Sequence, residues 1–220
     1  HFFDAGLTDP ARCEVLPGSG VDLQRFTPAP QPARPNEAMH FLMVARLIAD
    51  KGVREYVAAA RGLKLRWPQL RFQLLGAVGA DNPTAIDAAE LQSWIEDGTI
   101  EYLGFRDDVR DALAQADCVV LPSYREGMSR TLLEAAALQR PLIATRVPGC
   151  VEVIDDARNG YLCEPRDASS LEQALRRIVE LPLARRLEMG RHSRAIVERQ
   201  FSEQIVIDRY LAAVSRLRPQ

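Results

Sequence analysis

From His40 onward the chain alternates between short, largely apolar runs and longer stretches whose apolar residues recur three and four positions apart. Continuous apolar runs fit strands buried on both faces, and three-and-four spacing fits helices with one buried side. Strands are predicted at Phe41 to Ala45, Leu70 to Leu75, Ile100 to Leu103, Cys118 to Leu121, Leu142 to Thr145 and Tyr161 to Cys163. Helices are predicted at Val53 to Leu65, Thr84 to Glu96, from a cap at Asp107 to Gln115, and at Ser129 to Leu138. A short helix is expected near Val151 to Asp155, after the Pro148-Gly149 turn. Ser170 to Leu181, Leu183 to Gln200 and Ser202 to Leu217 close the chain. Strands separated by helices imply a parallel sheet with right-handed crossovers. The expected fold class is therefore α/β: a Rossmann-like three-layer domain with a six-stranded parallel sheet.

Residues 1–35 read differently. Val15 to Asp22 is an apolar stub followed by a turn-rich loop, and Pro28, Pro30, Pro32 and Pro35 make a stiff extended connector. The chain opens on His1-Phe2-Phe3-Asp4 without an initiator methionine, which gives the expectation of an excised piece. The organisation expected is a remnant of an upstream domain plus linker at 1–35, a Rossmann-like domain at 36–200, and a last helix at 201–220. Composition narrows the function classes. A formal net charge of −2 over 220 residues offers no nucleic-acid surface. The four cysteines (Cys13, Cys118, Cys150, Cys163) form no CxxC pair and read as reduced cytosolic thiols. The three histidines also lack zinc spacing, and no run is long and apolar enough to span a bilayer.

In a parallel sheet, ligands bind beyond the carboxyl ends of the strands, near the point where strand order reverses. The residues just after each strand are therefore the candidates. Arg46 follows the first strand and Lys51-Gly52 opens the next helix; a guanidinium fork plus an ammonium suits a diphosphate. Two solvated loop cations are the plain alternative. After the fourth strand comes Glu126-Gly127-Met128-Ser129-Arg130-Thr131-Leu132-Leu133-Glu134. A helix start there would turn backbone N–H groups and the positive end of the helix dipole toward an anion. The alternative is an ordinary helix capped by Ser129. Glu126 and Glu134 can each accept hydrogen bonds from vicinal hydroxyls. Glu134 sits among Leu132, Leu133, Ala135, Ala136 and Ala137, where an unpartnered charge is costly, which weighs toward function. Gly76 and Gly104 end two strands where bulk would block a ligand, or they simply serve turns. Phe105-Arg106 could meet a flat base. Arg125 and Arg130 flank the motif and either meet an acceptor's phosphate or lie exposed. The layout suits a ligand with hydroxyls at both ends and an anion between, such as a nucleotide sugar.

Arg46-x4-Lys51-Gly52, Leu121-Pro122-Ser123, Glu126-Gly127 with Glu134-Ala135, Val147-Pro148-Gly149, Asn159-Gly160 and the closing Phe201-Ser202 segment together resemble the carboxyl-terminal half of glycosyltransferase family 4. The stretch Ser123 to Gly127 with Pro148-Gly149-Cys150 looks closest to bacterial polysaccharide and lipopolysaccharide enzymes. The resemblance implies one half of a retaining GT-B enzyme that transfers a sugar from a nucleotide-diphosphate donor, with UDP the expected carrier. It implies Arg46, Lys51 and Glu126 as catalytic residues, the cations on the leaving diphosphate and Glu126 on the transferred sugar. It implies donor contacts from Gly127, Met128, Ser129, Thr131, Leu132, Glu134, Gly76, Gly104, Phe105 and Arg106, with Glu134 on the ribose. No cofactor and no metal are expected, because the two cations stand in for one. The partners implied are the donor, a saccharide or polyprenyl-diphosphate-linked acceptor, and an amino-terminal domain without which the fragment does not turn over. The implied location is cytoplasmic, with the inner face of the cytoplasmic membrane left as an option. Ser129 departs from the proline that many members carry there. Three other readings stand beside this one. A dinucleotide oxidoreductase lacks its GxGxxG after the first strand. A non-catalytic sugar-nucleotide-binding domain and a nucleotide-sugar epimerase share the fold.

Overall fold

The computed structural model describes residues 6–7, 9, 13, 16–79 and 82–217. Val15, the start of the expected apolar stub, and most of residues 1–14 lie outside the described residues. The strands are β1 (His40–Val44), β2 (Arg71–Leu75), β3 (Glu101–Tyr102), β4 (Cys118–Leu121), β5 (Leu142–Thr145) and β6 (Gly160–Cys163). They form one sheet in the order β3-β2-β1-β4-β5-β6, and every pairing is parallel. The helices are α1 (Val53–Arg66), α2 (Ala88–Glu96), α3 (Arg110–Gln115), α4 (Arg130–Ala137), α5 (Ala168–Glu180), α6 (Leu183–Gln200) and α7 (Glu203–Leu217).

Alternating side chains of each strand feed two cores, one on each face of the sheet. Phe41 and Met43 pack with α1, α2 and α5, and the Phe41 and Phe72 rings stack 5.3 Å apart. Leu42 points the other way, into a core built with α3, α4 and α6. Val21 and Phe26, from the segment before β1, are buried in that second core beside Phe201. Backbone bonds pin them there: Val21 N–H donates to Phe201 O at 2.8 Å, and Glu203 N–H to Val21 O at 3.0 Å.

At the opposite end of the sheet from the β1 and β4 carboxyl termini, a buried polar cluster anchors the connector. Asp117, fully buried, accepts from Arg34 Nη1 at 2.9 Å and from the His40 N–H at 2.8 Å. Arg140 and Arg186 are also fully buried. Arg140 donates to the carbonyls of Ala29 and Pro30, and Arg186 to Asn36 Oδ1 and Leu181 O. Burial pulls the Arg140 guanidinium down to about 10, and Asp117 is the acid that opposes this in both arginines.

Boundaries shift by a residue or two in several elements, and three predicted elements differ in how they start or in whether they form. The helix expected from Thr84 begins at Ala88, because Asn82 Oδ1 holds the Thr84 N–H and hydroxyl, Ala85 bridges to Ile48, and Asp87 is the cap that accepts from Glu90 N–H. Asp107 caps nothing; α3 starts at Arg110, whose N–H goes to Asp108 Oδ1. Val151 to Asp155 forms turns, not a helix, since Asn159 Oδ1 takes the Asp155 N–H and ends the run. On α7, Ile207, Tyr210, Leu211 and Val214 leave an apolar stripe exposed. No described helix is long and apolar enough to cross a membrane.

Candidate functional site

Strand order reverses between β1 and β4, so a crevice opens at their carboxyl ends. Two adjoining clefts fill it. The larger, of about 710 Å³, is bordered by Arg46 after β1, Gly76 after β2, Phe105 and Arg106 after β3, and Thr131 and Glu134 on α4. The smaller, of about 230 Å³, is bordered by Arg46, Lys51, Glu126, Met128, Ser129 and Thr131. The four charged residues singled out in the sequence therefore line one continuous rim. Glu134 lies at one end, Arg46 borders both clefts, and Lys51 and Glu126 lie at the other end.

The backbone fixes the Lys51 loop. Ala49–Lys51 is a single 3₁₀ turn that ends at Gly52 with φ of 75°, and an added Cβ there would lie 2.1 Å from the carbonyl oxygen of Pro122. The Tyr124 N–H donates to Asp50 O at 2.9 Å, and the Tyr124 hydroxyl to Glu55 at 2.6 Å. These contacts bring Lys51 Nζ within 2.6 Å of Glu126 Oε1, which also accepts from Ser123 Oγ at 2.7 Å. Ser123 is held in turn by the hydroxyl of Thr145 on its carbonyl. Glu126 Oε2 takes no hydrogen bond among the described residues. Arg46 is exposed and makes no ion pair among them. Lys51 thus meets a ligand already neutralised, whereas Arg46 meets it with its charge uncompensated.

Ser129 caps α4: its Oγ accepts from the Leu132 N–H at 3.3 Å. The N–H groups of Gly127, Met128, Arg130 and Thr131 have no acceptor among the described residues, so donors remain open at the helix start. Gly149, at φ of 82°, lies beneath this loop, and a Cβ there would come within 2.3 Å of Gly127 O. Thr131 borders both clefts, and its hydroxyl donates to Val44 O at 3.3 Å, tying α4 to the end of β1. Leu132 is placed otherwise: its side chain is fully buried in the core and its N–H is spent on the cap. Gly127 and Gly104 border neither cleft. Gly76 borders the larger one, yet its glycine requirement comes from protein backbone, since a Cβ would fall 1.8 Å from Ala45 O.

Glu134 is largely buried, with a side-chain exposure of 13%. Desolvation raises its carboxyl above the ordinary value of 4.5, opposed by Arg130, whose Nη2 lies 3.4 Å from Oε1. The ionised form is thus disfavoured in the folded state, and the native protein loses stability as pH rises through the folded value. Glu134→Gln is expected to unfold at a higher temperature than wild type at pH 7. The difference should vanish below the unfolded carboxyl value, about pH 4. Thermal melts from pH 4 to 8 check this; a variant less stable at every pH would contradict it.

The sequence reading missed Arg25 and Phe26, which border the larger cleft from the connector. Phe26 was visible only as a lone aromatic before a proline-rich stretch. Asp107, Asp108 and Val109 also border it. Among the described residues no group of three or more His, Cys, Asp or Glu gathers as a metal set.

A model of the family described as glycosyl transferases group 1 matches residues 38–180. The chain belongs to that family. It is 30% identical over 223 residues to the N,N'-diacetylbacillosaminyl-diphospho-undecaprenol alpha-1,3-N-acetylgalactosaminyltransferase of Campylobacter jejuni, covering 96% of this chain and 56% of the relative. It is 32% identical over 205 residues to the putative colanic acid biosynthesis glycosyltransferase WcaL of Escherichia coli, covering 89% and 49%. The chain thus spans about half the length of the curated relatives it matches. In fold it matches Anabaena Alr3699/HepE, solved in complex with UDP, with a TM-score of 0.75 at 20% identity over 90% of this chain and 56% of that one. The α/β class, the six-stranded parallel sheet and the family expected from the sequence are all met.

Proposed function

We propose that the two clefts hold a nucleotide-diphosphate sugar, and that the chain is the donor-binding part of a retaining glycosyltransferase. The observation that carries this reading is the order of groups along the rim: acceptor, cation, then cation with acceptor. Glu134 takes the ribose hydroxyls in the larger cleft, where exposed Phe105 and Arg106 offer a surface to the base. Arg46, bordering both clefts, meets the diphosphate with Lys51 and the open N–H groups before α4. Glu126 faces the sugar in the smaller cleft through its unbonded oxygen. Charge grows on the diphosphate as the sugar departs, so cations fixed there lower the barrier to transfer. No metal takes part in this reading. UDP is the favoured carrier, supported by the UDP-bound structural relative. The lipid-linked acceptor named for the Campylobacter relative supports a saccharide or polyprenyl-diphosphate-linked acceptor, and with it work at a membrane surface.

Calorimetric titration with UDP, GDP and NAD tests the reading, with UDP or GDP expected to bind and NAD not. Glu134→Ala and Lys51→Ala should each weaken the nucleoside diphosphate by about 1.5–3 kcal/mol, the worth of one charged hydrogen bond. Glu126→Ala should weaken the sugar-bearing donor and spare the bare diphosphate. Unchanged affinity in the first two variants would remove the proposed map; an equal loss for both ligands in the third would remove the sugar from Glu126.

A further inference from the structure

We propose that Arg130 is a third cation for the donor diphosphate, beside Arg46 and Lys51, passing from Glu134 to a phosphate oxygen when the nucleotide enters; this rests on the donor reading above. Lys51 is already held 2.6 Å from Glu126, so its charge is spoken for before any ligand arrives. With Lys51 shared with Glu126, only Arg46 brings an uncompensated charge to the diphosphate. Of the other arginines around the crevice, Arg106 borders only the larger cleft. Arg25 borders the larger cleft and a third hollow of about 290 Å³ but not the one that holds Lys51. Arg125 is exposed and borders none of them. Arg130 shares with Arg46 the border of both clefts.

Its present partner holds it weakly. The contact to Glu134 is one-pronged at 3.4 Å, and the Arg130 side chain is 74% exposed, against about 2.7–2.9 Å for a firm charge-assisted bond. Burial disfavours the ionised Glu134 carboxylate, which loosens the pair further. Ribose hydroxyls donating to Glu134 replace what Arg130 supplied, and the released guanidinium stands beside the open N–H groups that begin α4. Ribose and diphosphate recognition are thereby joined through one side chain.

The test is calorimetric titration of wild type, Arg130→Gln, Arg130→Lys and Arg125→Gln with UDP, UMP, GDP and GMP. Arg130→Gln should weaken the diphosphate that binds wild type about ten-fold or more and leave the monophosphate nearly unchanged. Arg130→Lys should recover part of that loss, and Arg125→Gln, which removes the same charge away from the clefts, should change nothing. Equal losses for diphosphate and monophosphate, or none, would overturn the assignment while leaving the donor site standing. If neither UDP nor GDP binds wild type, the donor reading fails and this inference fails with it.

Discussion

Alanine in place of Asp117 is expected to lower the unfolding free energy by about 3–5 kcal/mol, the range for removing one partner of a buried ion pair. The carboxylate is fully buried and ties three parts of the chain: the connector through Arg34, the first strand through the His40 N–H, and its own position just before β4. It is also the acid opposing the burial of Arg140 and Arg186. Without it, two buried guanidiniums keep their charge with carbonyl partners and Asn36 alone. Urea titration checks this through a fall in midpoint at unchanged slope. Arg34→Ala is the comparison; its side chain is 22% exposed, so its loss should cost visibly less. Equal and small effects from both would mean that the cluster contributes little.

The second large effect is expected at Gly52. Alanine there meets two penalties at once: a left-handed backbone, worth about 1–3 kcal/mol for a residue with a side chain, and a Cβ 2.1 Å from Pro122 O. Since the obstacle is backbone, β4's end or the Lys51 loop must shift, and a total cost of about 3 kcal/mol or more is expected. The shift also parts Lys51 from Glu126, so affinity for the nucleoside diphosphate should fall along with stability. Gly104→Ala separates the causes. Its φ of 79° is equally left-handed, yet nothing lies within 4 Å of the added Cβ, so only the conformational cost of about 1–2 kcal/mol remains. Similar midpoints for the two variants would refute the close-approach argument.

The sheet was legible because its strands are short apolar runs bounded by polar residues and prolines. β4 and β5 were placed to the residue, and α6 as well, because Pro182 and Phe201 bound it. The starts of α2 and α3 were not, since they depend on which aspartate reaches a backbone N–H, and several compete within a few positions. Val151 to Asp155 failed because its hydrogen-bonding competitor, the Asn159 side chain, comes from beyond the run. Arg46, Lys51 and Glu126 were legible as polar groups in the loops that follow strands, and Glu134 as a lone carboxylate in an apolar helix; the structure sets all four along the same two clefts. The inward placement of Leu132 was not legible, because it sits between Thr131, which borders the clefts, and Leu133, which is buried, so its neighbours do not fix which face of α4 it joins. Lys51 pairing with Glu126 needed three dimensions: the residues are 75 positions apart and meet through the Gly52 and Tyr124 contacts. Arg25 and Phe26 escaped for the same reason: Val21, a few residues before them, pairs with Phe201 and Glu203 far along the chain, and Arg194 donates to Phe26 O.

That pairing has a geometric consequence. Residues 21 and 202 are neighbours, so the polypeptide enters and leaves the domain at one corner, which opens onto a hollow shared by Ser19, Asp22, Arg130, Glu134 and Glu203. Anything joined covalently on either side is tethered to that single corner and has one pivot rather than two.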